Sequence, residues 1–425
     1  MIPGKIKESG YYSKIKILFL WIAAAFLFIY LIYFTIINSG KDTHGFASYY
    51  TASKLFLEGE SVYRYYDDNF FSEKVKNYVP AVYELYYINT PISFFVILPF
   101  SVFDFNAAKS LWIIFSLLIL ATTVGLILIK LKYEIQKSLL VVILILCFQP
   151  LYANILYGQV YIFIFCLLVA AWSAYRSGND KILGIVLGFI IVIKLAGLVL
   201  LVLLAVQKKW QSLLWTFITI VLLAAISIPF VGIDSWFVFK ENLIKYYSSP
   251  TLSVTAYQTI HSFFYHFTFF DQKWNPVPLI DFPLLGKMLT YFSYTIVFVS
   301  ISYFAYKIKN SDLSFGLFVI AGIILSPASI DYHYFMILIS FIIILNYIQL
   351  IKSGWIYISL FFSYLLIAVS IPYTSAKVSN GLLAVFAYPK LYGAIGLLIL
   401  FLIIGIQLFK NQNYSKAMES SSKFN

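Results

Sequence analysis

The run ILFLWIAAAFLFIYLIYFTII, Ile17–Ile37, decides what kind of protein this is. As an α-helix rising 1.5 Å per residue, an uncharged run of about 20 residues spans roughly 30 Å, the hydrocarbon thickness of a bilayer. Lysines precede it (Lys5, Lys7, Lys14, Lys16). It is too long for the core of a cleaved leader and no small-x-small site follows, so it reads as an uncleaved first span. Similar windows recur at 107–129, 138–155, 160–175, 210–230, 285–306, 313–327, 334–351, 354–370 and 390–409. Over all 425 residues, 61% are hydrophobic, 20% aromatic and only 11% charged, against about 25% charged in soluble domains. That balance excludes a disordered chain, a disulfide-stapled secreted domain and a soluble enzyme on a single anchor. Cys147 and Cys166 both lie inside apolar runs and read as core residues.

Lysines and arginines in short loops gather on the cytoplasmic side of a membrane. Let the N-terminus be inside, and let 182–206 fold as a hairpin of two half-helices with Lys194 at its tip. Lys130, Lys132, Arg176, Lys181, Lys208, Lys209 and Lys307 then join the terminal lysines, and the whole surplus of +12 falls on the cytoplasmic face. The charge is therefore a topology signal and no nucleic-acid partner is expected. A single span through 182–206 would put 307–309 outside and break the pattern. Residues 91–103, bounded by Pro91 and Pro99, are too short to cross and predict a re-entrant or interfacial piece. The expected fold is an all-α integral membrane bundle of about ten full spans, with a half-helix hairpin, a re-entrant segment and exterior amphipathic helices. Residues 1–410 form one transmembrane domain with long exterior loops at 38–106 and 231–284, and 411–425 form a polar cytoplasmic tail. Both termini are cytoplasmic.

The exterior segments hold all four histidines, His44, His261, His266 and His333, so chemistry is expected on that side. In KDTHGFASYYTASKLFL (41–57), apolar residues recur at helical spacing from Phe46 to Leu57, and Asp42 and His44 stand at the helix approach. A carboxylate there either accepts a proton from a hydroxyl or simply caps the helix. Lys194, a cation inside an apolar stretch, either meets a phosphate or snorkels to the interface. Gln159, in the turn Asn154–Gln159, either binds a sugar hydroxyl or caps a span. Asp331 and His333, after Pro327, either orient a phosphate or hydroxyl or make a satisfied polar turn. The aromatic clusters Tyr63-Tyr65-Tyr66, Tyr83-Tyr86-Tyr87 and Trp236-Phe237-Phe239 read as an interfacial belt or as sugar-stacking surfaces. Asp67-Asp68 is adjacent and not a D-x-D. No Walker loop, G-x-G-x-x-G after a strand or H-E-x-x-H is present, which disfavours a nucleotide-driven machine. No cofactor is indicated; a divalent cation is compatible but has no signal in the sequence.

The order of these motifs carries a resemblance. F-x-x-Y-Y-x-A (Phe46–Ala52) and G-x-x-x-Y (Gly59–Tyr63) follow the first span. A Gly158-Gln159 turn comes next, then Gly184, Gly188 and Lys194, then Lys209-Trp210, and last the Ser326-Pro327…His333-Tyr334 turn. Over roughly residues 15 to 350 the chain resembles the polyprenyl-phosphate-mannose-dependent mannosyltransferases, glycosyltransferase family 87 of the GT-C superfamily. The resemblance implies an inverting transfer, on the exterior face, of a mannose-like hexose from a polyprenyl-phosphate donor to a glycan or glycolipid acceptor. It implies an acid after the first span as base, here Asp42 with His44 beside it. Tyr49, Tyr50, Arg64, Gln159, Lys194, Asp331 and His333 would then contact substrate. Three positions depart from the family pattern. Gly45 stands where the acid commonly sits, directly before the Phe; Tyr161 replaces a frequent asparagine, and Gly197 a frequent proline. These leave donor sugar and acceptor open. A glycan polymerase or ligase, or a lipid-linked-sugar flippase or other transporter, are the alternatives; a transporter would show two related halves around a midplane site.

Overall fold

The computed structural model describes residues 10–86, 88–308, 310–347 and 353–421. Lys5, Lys7, Tyr87 and Lys309, named above, lie outside them. The described chain forms seventeen α-helices. They are α1 (Gly10–Asn38), α2 (Phe46–Leu57), α3 (Asp68–Tyr78), α4 (Phe105–Leu131), α5 (Ile135–Leu146), α6 (Gln149–Tyr157), α7 (Tyr161–Ser177), α8 (Asp180–Lys194) and α9 (Leu198–Val206). Then follow α10 (Trp210–Val231), α11 (Ile233–Tyr246), α12 (Ile260–Thr268), α13 (Pro283–Ile308), α14 (Ser311–Ile324), α15 (Leu338–Tyr347), α16 (Gly354–Ala368) and α17 (Pro389–Ser421). Among the described residues the only β feature is an isolated bridge between Asp271 and Asn275.

Five helices, α1, α4, α10, α13 and α17, contain stretches long and apolar enough to cross a bilayer. The pair α5–α6 makes a sixth if its 48° bend lies within one span. Of the remaining apolar windows, 160–175, 313–327, 354–370 and the described part of 334–351 correspond to helices of 10–17 residues; 348–351 lie outside the described residues. Pro327 and the short 3-10 helix Asp331–Ile337 shorten the regular helix between two of them. Large side chains such as Phe19 and Ile36 of α1, Phe217 of α10 and Phe292 of α13 stand exposed along these helices. Apolar surface of this extent is satisfied by lipid tails and not by water. This is an all-helical membrane protein.

Polar contacts divide the bundle into two rims. At one rim, Lys137 Nζ donates to Asn346 (3.1 Å), and Trp172 Nε1 donates to Asp312 (2.9 Å), which also faces Arg176 (3.7 Å). Lys209 pairs there with Asp180 at 3.0 Å. At the other rim lie the ends of α1 and α4, the turns 157–161, 194–197 and 326–333, and the segment 79–98. Lys109 fastens this second rim. It is fully buried, and its ammonium donates to the carbonyls of Asn38 (3.3 Å), Lys41 (2.7 Å) and Leu156 (2.8 Å) and to Thr43 Oγ1 (2.8 Å). Four oxygens replace the hydration of one cation and tie α1, α4 and α6 to the approach of α2.

The position of Lys194 follows from a stripe of small residues. A Cβ on Gly184 would meet Ser212 O and Trp215 Cβ at 2.5 Å, and one on Gly188 would meet Thr219 Cβ at 2.6 Å. Residues advancing along α8 therefore touch residues advancing along α10, so the two helices run parallel with their backbones in close approach. Both start at the basic rim, where Asp180 binds Lys209 and Ser212. The chain must reverse in between, and it does so at Leu195 (φ 51°) and Gly197 (φ 85°). That reversal leaves Lys194 at the second rim. Residues 93–96 form a 3-10 helix there, and Thr90 Oγ1 donates to Ile193 O (3.3 Å).

Candidate active site

A cavity of about 1040 Å³ opens in the second rim, lined by residues from α2, the 83–89 segment, the 194–200 reversal, α11, α12, α13 and the 325–333 turn. Its ends differ in chemistry. One end gathers Gly45, Ser48, Tyr49, Glu84, Asn89, Gln159, Tyr161, Lys194, Tyr332 and His333. A wall of Leu195, Leu198, Val199, Phe318, Val319 and Ile323 adjoins it and is wholly apolar.

The carboxylate in this cavity is Glu84. Its Oε2 accepts from the backbone N–H of Gly45 (2.7 Å) and its Oε1 from the N–H of Leu85 (3.1 Å). Gly45 is the N-cap of α2, so Glu84 sits at the positive end of that helix. Gly45 has φ +82°, and any Cβ there would overlap the side-chain amide of Gln159. Two loops cross at this point, since a Cβ on Gly158 (φ +56°) would likewise press on Phe46 at 2.8 Å. An acid at position 45 would not fit; a side chain from 39 residues further along the chain supplies the carboxylate.

Lys194 is the cation of the site. Its Nζ donates to Asn89 Oδ1 (2.7 Å) and lies 5.0 Å from the ring centre of Tyr49 and 5.9 Å from that of Tyr161. Asn89 Nδ2 in turn donates to Ser48 Oγ (3.2 Å), which donates to Leu85 O (3.0 Å). The network therefore joins the cation to the backbone beside Glu84. His333 stacks on Tyr332 (4.7 Å between ring centres) and meets Tyr161 at a tilt (4.2 Å, 54° between planes). Its Nδ1 accepts from Ile330 N–H (3.1 Å), so a neutral ring carries its proton on Nε2. Tyr49 is buried, and its hydroxyl has no hydrogen-bond partner among the described residues.

Of the residues singled out in the sequence, Tyr49, Gln159, Lys194 and His333 line this one cavity. Asp42, His44, Tyr50, Arg64 and Asp331 do not. Asp42 is exposed. His44 is exposed too, with Nδ1 3.8 Å from Glu84 Oε2. Tyr50 is rotated about 100° from Tyr49 on α2 and donates instead to Phe103 O (3.0 Å). Arg64 pairs with Glu60 (2.7 Å) and lies over Phe70 (3.9 Å). Asp331, two residues before His333 on a tight turn, points elsewhere: it meets Gln149 (3.2 Å), Tyr373 and Lys390 (3.7 Å). Lys390 is itself buried and also donates to Gln149 (2.9 Å) and Ile367 O (2.7 Å). This cluster anchors the turn that carries His333. Among the described residues no three His, Cys, Asp or Glu side chains converge as a metal site would require.

The arrangement places a held carboxylate, a cation and a neutral imidazole donor around one space bordered by apolar helix surface. A family model for glycosyltransferase family 87 matches residues 87–328. No curated protein and no solved structure matches the chain. The family match takes in Gln159, Lys194 and the apolar wall, and it begins just after Glu84. Covering more than half of the sequence, it establishes that the chain belongs to glycosyltransferase family 87, the glycosyltransferase of an all-helical membrane bundle.

Proposed function

We propose that the protein transfers a hexose from a polyprenyl-phosphate donor to a glycan or glycolipid hydroxyl, with Glu84 as the base. The observation that carries this reading is the shared cavity of Glu84, Lys194 and His333 beside an apolar wall. A lipid-phosphate sugar has the matching division: an isoprenoid chain for the wall and an anionic head for Lys194. In the transfer, the acceptor oxygen gives its proton to Glu84 and bonds to the anomeric carbon. The bond from that carbon to the phosphate oxygen breaks, and its electron pair leaves with the polyprenyl phosphate. Lys194 and the Nε2–H of His333 offset the charge gathering on that oxygen. Gln159 and the hydroxyl of Tyr49 are in place to hold sugar hydroxyls. Attack from the face opposite the phosphate inverts the anomeric centre. Glu84 takes the part that the sequence suggested for Asp42.

The basic rim belongs in this reading to the cytoplasm and the cavity to the exterior, with the shorter helices completing the crossings. The test is mass spectrometry of lipid copurifying with the protein. Wild type is expected to retain a polyprenyl-phosphate hexose, and Lys194→Met to retain at least tenfold less. Wild-type protein that takes label from a nucleotide sugar and none from a polyprenyl-phosphate sugar would overturn the proposal.

A further inference from the structure

The far end of the cavity is built differently from the end that holds Glu84. Here α12 supplies His261, α13 supplies Tyr291 and Tyr294, the segment between α11 and α12 supplies Tyr247 and Tyr257, and the loop after α12 adds Trp274. No carboxylate lines this end among the described residues, and its charged side chain, Lys273, lies 4.7 Å over the ring of Trp274. His261 is the unusual member. It is 8% exposed, stacks on Tyr265 with 4.0 Å between ring centres, and its Nε2 has no hydrogen-bond partner among the described residues. Burial pushes the imidazole down to about 4, so at neutral pH the ring is uncharged. A buried ring nitrogen left without a partner is costly, and a ligand hydroxyl bonded to it would remove that cost.

Aromatic faces with one or two placed polar atoms fit a ligand that has apolar C–H faces and hydroxyl edges. A pyranose ring is such a ligand. Tyr257 links the two ends: its hydroxyl accepts from Tyr246 (3.0 Å), and it lines the same cavity as Glu84, whose negative charge helps to keep the phenol protonated. We propose that this end is the acceptor subsite, binding a sugar ring among the tyrosines and Trp274, with a ring hydroxyl bonded to His261 Nε2. This rests on the transfer reading, in which the acceptor hydroxyl must reach Glu84 from the side away from Lys194. A sugar seated here presents its next hydroxyl past Tyr257 toward the carboxylate. His261 thus selects the acceptor and takes no part in bond breaking.

The probe is a panel of methyl disaccharides (mannobioside, cellobioside, lactoside, maltoside) added to the full-length protein in nanodiscs. Binding is read by saturation-transfer NMR. At least one is expected to bind wild type, with Kd at least tenfold weaker in His261→Leu and restored to within threefold in His261→Gln, whose amide again offers a hydrogen-bonding atom. Melting temperatures of both variants separate lost binding from lost folding. Absence of binding by every disaccharide, or equal binding by His261→Leu and wild type, would overturn the subsite. The copurifying lipid is measured on the same His261→Leu sample. Donor retained with sugar binding lost supports the subsite. Sugar binding that depends on His261 in a protein that holds no lipid-linked donor would sink the transfer reading and leave the subsite standing.

Discussion

Replacing Glu84 by Gln separates the base from the scaffold. The amide has nearly the same shape, and its oxygen still accepts a hydrogen bond from Gly45 or Leu85 N–H, so the crossing of α2 with the 83–89 segment is kept. One of the two backbone hydrogen bonds, the negative charge and the ability to accept a proton are lost. A positioned general base contributes about 10²–10⁴ in rate, or roughly 3–5 kcal/mol at about 1.4 kcal/mol per tenfold. Neutralising Glu84 removes a charge that repels an anionic head but also one that favours the charged form of Lys194, so donor KM is expected to change little and the loss to fall on kcat. The assay is transfer of label from a polyprenyl-phosphate hexose to an endogenous acceptor in membranes, at matched protein levels and melting temperature. Asp42→Asn, at an exposed side chain outside the cavity, is expected within threefold of wild type. A Glu84→Gln protein with more than a tenth of wild-type kcat, or an inactive Asp42→Asn with an active Glu84→Gln, refutes the assignment.

Three further outcomes follow from other contacts. Lys109→Met leaves three carbonyls and the Thr43 hydroxyl facing an apolar side chain, so a loss of roughly 3–5 kcal/mol is expected, measured as a fall in melting temperature with activity lost in parallel. Gly184→Leu must force α8 off α10, because even a Cβ meets Ser212 O and Trp215 Cβ at 2.5 Å; Lys194 then moves, and the copurifying donor should fall together with stability. For His261, the folded value of about 4 lies below the ordinary 6.5. The unfolded chain therefore binds the proton first, and stability held above pH 6.5 is lost as pH falls toward 4, by roughly 3 kcal/mol. His261→Gln should flatten that part of the melting-temperature profile, and an unchanged slope would show that the ring is not buried neutral. Tyr265 stacks on the ring and Tyr257 shares its cavity; burial raises both phenols above their ordinary value, so neither changes charge over this range.

The fold was legible where one physical quantity dominated. A charge-free run such as 17–37 or 110–129 has few alternatives to a span, and lysine and arginine placement at 130–137, 176–181 and 208–209 marked a common rim. Lys194 was legible for the same reason: a cation in an apolar run must end somewhere polar. Periodicity could not say which neighbouring side chain faces the cavity. Tyr49 and Tyr50 are one residue apart, yet only the first lines it; His333 and Asp331 are two apart and belong to different networks. Glu84 was missed because its partner, Gly45, is distant in sequence and the intervening segment is irregular. A signal did exist. Between Lys76 and Asp104 Glu84 is the sole charged residue, and a lone carboxylate in so apolar a stretch must be held by something.

Gly45 ties these observations together. Read along the chain, a glycine in place of an acid looks like the loss of a base. In three dimensions the glycine is what holds the proposed base, Glu84, in the cavity. Its positive φ turns the N–H toward Glu84, and its missing side chain leaves the space that Gln159 fills. Restoring an acid by Gly45→Asp would put a side chain at φ +82°, ψ −73°, which L residues rarely adopt, and would displace Gln159. It would also set a second carboxylate against Glu84, raising the energy of having both ionised. The double variant Gly45→Asp with Glu84→Gln removes the repulsion but keeps the steric conflict. If charge alone decided activity, that pair would restore transfer. The crossing of the two loops argues that it will not, because the Gln159 contact is lost in both.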